Sequence, residues 1–570
     1  MRQALSECVA QALETLRAEG VFPPEVALPF KVERPKEEGF GDFATNAAMV
    51  LSKQAGMKPR DLAQRLGAAL PADGPVVRWE VAGPGFLNFF IHPDRLRNVV
   101  NEIVAAGPEY GKSRMGAGQR VQVEFVSANP TGPMHVGHGR GAVTGDVLAR
   151  ILAAAGYQVE REYYVNDAGV QVDVLSWSLL ARYRQLFGDE IELPPDCYPG
   201  EYVIDLARVL KERHGDKWLA VARQGREGAP PAELRRFAVE EVLAWIREDL
   251  ALLDIRFDHW FFEHELHDGG AIDAAIATLS GRGFIYEGVL EPPKGKKPDE
   301  DWEARPQTLF RSTAFGDEVD RPLKKSDGSY TYFAADIAYH HHKAQRGFHR
   351  LIDIWGADHG GYIKRVQAAL EALTGLKEIL EVRLVQMVNL TRGGVPVRMS
   401  KRAGNFVTLK EVVEEVGADA VRFWFLTRSS NASLEFDLEL AKSNTHDNPV
   451  FYVQYAYARI RAIHRQMAEK GLVRGPGDFR LLVEPGEMQV IRLLERFPEV
   501  IEAAALFYEP HRLAFFLQEL AAAFHTYYNG NRILLEDEGL RNARLLLAEA
   551  VQQVLSNGLT WMGVQPTERM

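Results

Sequence analysis

Apolar positions follow a helical period over residues 1–20 and then give way to a strand-like run over 76–91. The stretch 108–118, PEYGKSRMGAG, is rich in glycine and charge and reads as a linker closing a first domain over 1–108. Residues 120–126, RVQVEFV, alternate like a buried strand. A Gly/Pro turn follows, then a helical period over 142–155 and a second strand-like run over 157–165. Strand, helix and strand at this spacing predict a βαβ unit of a parallel sheet. Runs at 351–355 and 382–388 predict further strands of that sheet. The helix-like stretch 177–253 and the charged loop 291–303 read as an insertion spanning about 177–300. Beyond about 408 the strand signal disappears. Helical spacing over 412–426, 450–467, 488–508, 512–528 and 540–555 predicts an all-α bundle. The expected architecture is a small α+β N-terminal domain (1–108), an α/β parallel-sheet domain (109–407) and an all-α C-terminal domain (408–570).

Composition narrows this picture without naming a function. A chain of 570 residues exceeds one hydrophobic core, so roughly three to four domains are expected. No apolar run approaches the roughly 20 residues of a membrane-spanning helix, and residues 1–20 lack the basic-then-apolar order of a secretory signal. A cytoplasmic protein with no membrane partner is the expectation. Two cysteines, Cys8 and Cys197, exclude a disulfide framework and a Cys-rich zinc site. The net charge of −11 means that any nucleic acid must meet a patterned basic face rather than the whole-molecule field.

Candidate chemistry begins at Met134-His135-Val136-Gly137-His138-Gly139, between the first strand and its helix. A helix N-terminus favours anions, and two imidazoles three residues apart suit charge building up on a phosphorus undergoing displacement. Gly137 leaves room for a flat base against the backbone. The alternative is a Gly-rich turn carrying two structural histidines. About 260 residues later comes Arg398-Met399-Ser400-Lys401-Arg402-Ala403-Gly404-Asn405, a basic loop between glycines, suited to a polyphosphate or to a solvated surface.

An HxGH turn with a (K/R)MSK loop on a parallel sheet resembles the class I aminoacyl-tRNA synthetases, which implies a Rossmann-like catalytic domain. The segments VEFVSANPTGPMHVGHGRGA, YYVNDAGVQV, WGADHGGYIKR, MSKRAGNFVTL and NPVFYVQYAYARI are similar to those of arginyl-tRNA synthetases, as are GDFATNAAM and AGPGFLNF near the N-terminus. The resemblance implies ATP-dependent activation of L-arginine and its transfer to tRNA(Arg). It implies catalysis by His135, His138, Lys401 and Arg398. ATP binding falls to His135, Gly137, His138, Gly356, Asp358, Met399, Ser400 and Lys401. Arginine binding falls to Glu124, Ser127, Asn129, His135, Tyr332, Asp336 and His359, with Asn129 at the α-amino end. A planar guanidinium is well read by carboxylates and aromatic faces, and Tyr332 and Asp336, four residues apart, share one helix face.

The resemblance further implies that the N-terminal domain touches the D-loop side of tRNA through Phe86 and Asn88. Gln454, Tyr457, Arg459 and Arg461 belong to an interleaved set that would meet the anticodon, some of its members packing the bundle core instead. The first motif lysine is Arg398 here, and His359 stands where some relatives carry glutamine. Magnesium is expected with ATP, held mostly by phosphate oxygens and water. The run His340-His341-His342 cannot converge on one ion from a helix, so neither zinc nor another resident metal is expected. A monomer and tRNA-dependent activation are further expectations. A different nucleotidyl transferase or synthetase, and a non-catalytic RNA-binding paralogue, are the rival readings.

Overall fold

The computed structural model describes residues 1–570 apart from 36–38, 227, 292–301 and 398–406. The described chain divides into two compact units. The first comprises Met1–Tyr110, Arg459–Phe497 and Leu520–Val554; the second comprises Gly111–Ala458, Pro498–Glu519 and Leu555–Met570.

In the first unit the expected N-terminal helix is Arg2–Ala18, burying the stripe Leu5, Val9, Ala12, Leu13 and Leu16. Four antiparallel strands follow: β1 (Val32–Glu33), β2 (Phe43–Thr45), β3 (Val76–Ala82) and β4 (Phe86–Ile91), in the order β1-β2-β4-β3. The helix Pro59–Ala68 seats Gly67 on Trp79 of β3, where an added Cβ would lie 2.5 Å from the ring. The N-terminal segment is bolted to the helix Pro485–Leu506: Arg34 and the N-terminal ammonium both pair with Glu495, and Tyr110 donates to the Leu494 carbonyl at 3.0 Å.

The second unit is built on five parallel strands, β5 (Arg120–Glu124), β6 (Gln158–Val165), β7 (His259–Phe262), β11 (Arg350–Gly356) and β12 (Leu380–Val385), in the order β12-β11-β5-β6-β7. The chain runs from β5 outward to β6 on one side and returns to β11 on the other. This makes a topological switch point, and ligands of open parallel sheets gather at the carboxyl ends beside such a point. A side sheet of β8 (Ile285–Gly288), β9 (Gln307–Phe310) and β10 (Arg321–Lys324) precedes the helix Tyr332–Gln345, here called the pocket helix. That helix and the next, Ile363–Thr374, bury Phe333, Ile337, Val366 and Leu370 in one cluster with Phe261 of β7.

Several boundaries differ from the pattern. The insertion is not purely helical: beyond the helices Val170–Leu186, Tyr202–His214 and Ala232–Leu252, it supplies β7, the edge of the main sheet. The run 382–388 is two elements, because β12 ends at Val385 and β13 (Val388–Arg392) enters another sheet with β14 (Val395–Pro396) and β15 (Leu434–Asp437). β15 lies past residue 408, and it pairs in parallel with β13. The expected helix 412–426 is two, Leu409–Val416 and Ala418–Trp424, broken where Gly417 takes φ +88°. The long C-terminal helices Pro449–Glu469, Pro485–Leu506, His511–Gly530 and Glu538–Met562 follow the pattern closely.

Candidate active site

The motif helix, Val136–Ala154, starts earlier than its apolar period because His135 caps it. Its Nδ1 accepts from the amides of Gly137 at 3.1 Å and His138 at 3.4 Å, while His138 Nδ1 accepts from the His135 amide at 3.3 Å. The two rings stack with centroids 3.6 Å apart. Because each Nδ1 accepts from a backbone N–H, the proton of each neutral ring sits on Nε2, the form that donates to a phosphate oxygen. A Cβ at Gly137 would press on the His135 ring at 3.0 Å, so glycine keeps this stack intact. Further along the helix Gly139 and Gly145 bring it against Leu409 and Phe125, where added carbons would lie 2.5 and 2.2 Å away.

The exit from β5 is strained. Val126 and Ser127 take φ of +68° and +40°, a region costly for a β-branched residue and common at ligand clamps. Ser127 Oγ donates to Glu124 Oε1 at 2.8 Å and accepts the Tyr164 amide at 3.1 Å. Asn129 Nδ2 donates to Gln171 Oε1 at 2.8 Å. Glu124, 6% exposed, gives its other oxygen to Lys343 of the pocket helix, which is wholly buried. Lys343 also donates to Asp353 Oδ1 at 2.9 Å, and His340 Nε2 meets Asp353 Oδ2 at 2.9 Å. Glu124, His340 and Asp353 have metal-ligand spacing, with the Lys343 ammonium bonded to both carboxylates. His341 and His342 point elsewhere, to Gln345 and to the Phe261 ring.

On the same helix Tyr332 is 50% exposed, and Asp336 one turn on accepts from the Tyr362 hydroxyl at 2.6 Å. A second carboxylate lies opposite. Glu263, just past β7, accepts from the Tyr164 hydroxyl at 2.8 Å and faces Asp336 and Asp167. Burial lifts both Asp336 and Glu263 above the usual carboxylate range, and their mutual repulsion raises Glu263 further. Two raised carboxyls, held by the Tyr164 and Tyr362 hydroxyls, are a candidate cation site, since the cost of their charge falls when a cation enters. Sequence reading missed Glu263 and Gln171. Gln171 lies within the quoted segment YYVNDAGVQV, whereas Glu263 had no signal beyond its place after an apolar run.

Past β11, Gly356 leads into Ala357–Tyr362, with Asp358 and His359 exposed and 3.6 Å apart. His359 bears electrostatically on Asp336, which places it near the acidic pocket. Arg398, Met399, Ser400 and Lys401 lie outside the described residues. The flanks of that loop are described: Arg392 pairs with Glu415 and Glu439, and Thr408 caps the helix Leu409–Val416. Arg140, fully buried on the motif helix, donates to the carbonyls of Gln386, Ser429 and Ala432, joining the HxGH element to the segments that lead into β13 and β15.

Among the RNA candidates, Phe86 is 39% exposed at the start of β4, but Asn88 is 4% exposed between β2 and β3. Gln454 is turned inward, donating to Asp419 at 3.1 Å and the Gln565 carbonyl at 2.8 Å. Tyr457 and Arg461 are half-buried, and Arg459 lies 4.6 Å over the Tyr528 ring.

A helix-capping histidine pair at the switch point of a five-stranded parallel sheet is the arrangement expected of a class I aminoacyl-tRNA synthetase. Family models agree along the chain: "Arginyl tRNA synthetase N terminal domain" matches 3–91, "tRNA synthetases class I (R), catalytic domain" matches 99–193, and "DALR anticodon binding domain" matches 453–570. An arginine–tRNA ligase of Magnetococcus marinus is 60% identical over all of both chains, and one of Jannaschia is 49% identical over 99% of both. The chain belongs to the arginyl-tRNA synthetase family. The Thermus thermophilus arginyl-tRNA synthetase shares the fold, with a TM-score of 0.75, 23% identity and full coverage of both chains.

Proposed function

We propose that this chain is an ATP-dependent arginine–tRNA ligase, activating L-arginine to arginyl-adenylate and transferring it to the 3′-terminal adenosine of tRNA(Arg). Full-length identity of 60% to an arginine–tRNA ligase carries the reaction, and the paired carboxyls Asp336 and Glu263 are the observation that favours arginine at this site. The guanidinium sits between Asp336, Glu263 and the Tyr332 face, with Tyr362 and Tyr164 holding the carboxylates. A shorter or monodentate cation leaves one buried carboxylate unpaired, which rejects ornithine and lysine.

Asn129, steadied by Gln171, takes the α-amino group, while Ser127 and Glu124 shape the strand exit beneath it. The arginine carboxylate attacks the α-phosphorus of ATP. His135 and His138 donate from Nε2 to the charge developing there, and Lys401 with Arg398 draws off pyrophosphate. Gly137 with Gly356 and Asp358 receives the adenosine, and Met399 and Ser400 contribute to ATP binding. His359 stands at the rim of the arginine pocket. The terminal ribose hydroxyl then attacks the adenylate carbonyl, releasing AMP.

ATP enters as its magnesium complex. Both described groups with metal-ligand spacing are bonded to a cationic side chain, Lys343 in one and Arg346 in the other, which supports a reading without resident zinc. The domains act as 1–108 for the D-loop side, 109–407 for catalysis and 408–570 for the anticodon. Phe86 is the RNA-facing side chain on the D-loop side and Tyr457, Arg459 and Arg461 those for the anticodon, while Asn88 and Gln454 are buried. The chain works as a monomer in the cytoplasm. No helix among the described residues is long and apolar enough to cross a membrane. Charging of total tRNA with each of the twenty amino acids tests the reading. Arginine alone is expected to charge, and charging with another amino acid, or none, overturns it.

A further inference from the structure

We propose that Asp249, on the insertion helix Ala232–Leu252, is a positioning residue for adenylation that fixes the His135–His138 turn through the Met134 peptide. The proposal rests on the reading that these two imidazoles serve the phosphoryl transfer. Asp249 is 4% exposed, and its Oδ2 accepts from the Met134 amide at 3.3 Å. Met134 is itself fully buried, and its carbonyl accepts the Leu409 amide at 2.8 Å. His135 and Thr408 pair as an isolated antiparallel bridge. One residue is therefore gripped on both sides, by the insertion on its N–H and by the helix Leu409–Val416 on its carbonyl.

The grip matters because the two rings cap their own helix. Their Nδ1 atoms are committed to amides at positions 135, 137 and 138, so ring placement follows the path of the backbone entering the turn. Met134 is the last residue before that cap. Without the Asp249 acceptor a buried N–H is left unpaired, and the turn relaxes to relieve it. A shift of about 1 Å in groups aimed at a transition state costs on the order of 100-fold in rate. Asp249 is also poised against Lys410 and Glu414 of the helix after the loop, with Glu248 on its own helix, and burial holds its carboxyl up at about 6. A carboxylate kept at such a cost, bonded to the residue that starts the motif, is doing positional work.

The test is ATP–pyrophosphate exchange with arginine and tRNA for the unmodified protein, Asp249→Ala, Asp249→Asn and a His138→Ala control. Asp249→Ala is expected to lower kcat about 10- to 100-fold while the arginine KM moves less than about twofold, the split expected when only the transition state is affected. Asp249→Asn, whose amide oxygen still accepts, is expected to keep most of the rate. Should Asp249→Ala fail to fold, Asp249→Ser, too short to reach Met134, makes the same comparison. Unchanged kcat in Asp249→Ala beside an inactive His138→Ala overturns the Asp249 proposal alone, whereas an active His138→Ala overturns the histidine reading beneath it. Equal losses in the Ala and Asn variants, or an arginine KM rising with the loss of kcat, indicate a merely structural residue and also overturn it.

Discussion

Replacing Lys343 by methionine tests whether the pocket helix is held to the sheet by charge. The lysine is wholly buried, bonded to Glu124 of β5 and to Asp353 of β11, two strands that neighbour each other in the sheet. Methionine fills nearly the same volume, so the change removes the ammonium with little cavity. It leaves two buried carboxylates facing one another, with His340 bonded to one of them. Breaking such a pair from one side costs about 3–5 kcal/mol. At about 2 °C or less per kcal/mol for a unit of this size, the thermal midpoint should fall by roughly 4–10 °C at pH 7.5.

The sign of the pH dependence is fixed by the carboxyls. Glu124 already lies above its usual range, because burial outweighs the pull of Lys343. Without Lys343 it rises further, so the folded variant takes up a proton that the unfolded chain does not bind. That uptake relieves the strain as pH falls through the raised value. The deficit against the unmodified protein should therefore shrink between pH 8.5 and 5.5, read by calorimetric scans at half-unit steps. A midpoint unchanged at pH 7.5, or a deficit constant across the range, would refute the argument.

Asp336→Asn removes the charge opposite the guanidinium and should weaken arginine binding at least 30-fold by titration calorimetry, from the 2–5 kcal/mol of a desolvated charge pair; a change under threefold would move the pocket elsewhere. Glu263→Gln should weaken arginine about tenfold while leaving ATP binding unchanged, and an equal loss for both ligands would argue against a guanidinium contact. Asp249→Asn should raise the thermal midpoint at pH 7.5. The folded carboxyl at about 6 lies above its unfolded value, so its ionisation cost is complete above pH 6 and fades as pH falls toward 4. After discounting for residual solvent the gain is about 1–2 kcal/mol, and a gain that persists undiminished at pH 4.5 would contradict that origin.

The parallel sheet was legible because β5, the HxGH turn and β6 each carry their own period, and the turn residues stand between them. β15 and β7 were not. Each is four residues long and is stabilised by a neighbour distant in sequence, β13 for one and β6 for the other, so no local period marks them. The same limit applied to the site. Tyr332 and Asp336 share a helix face that spacing reveals. Glu263, by contrast, meets Asp336 only through the folding of β7 beside β6, and Lys343 reads as one more polar residue in a histidine-rich helix. Which amides of the RNA candidates are buried was not legible for a related reason: a central strand and a packed helix bury Asn88 and Gln454, with Gln454 bonded to Asp419 and the Gln565 carbonyl.

The segment Leu555–Met570 belongs to the second unit, with the sheet. The buried Arg422 guanidinium joins Asp146 of the motif helix to the carbonyls of Leu253 and Met562, and Gln565 donates to Asp419 at 3.1 Å. On a ribosome this imposes a delay. β5 emerges about 450 residues before Gln565, roughly 20 to 90 seconds at about 5–20 residues per second. Throughout that interval the motif helix lacks the last groups that lock its buried arginine partner. A nascent chain halted short of residue 562 would carry both signature motifs and still lack the Met562 and Gln565 groups that bond Arg422 and Asp419.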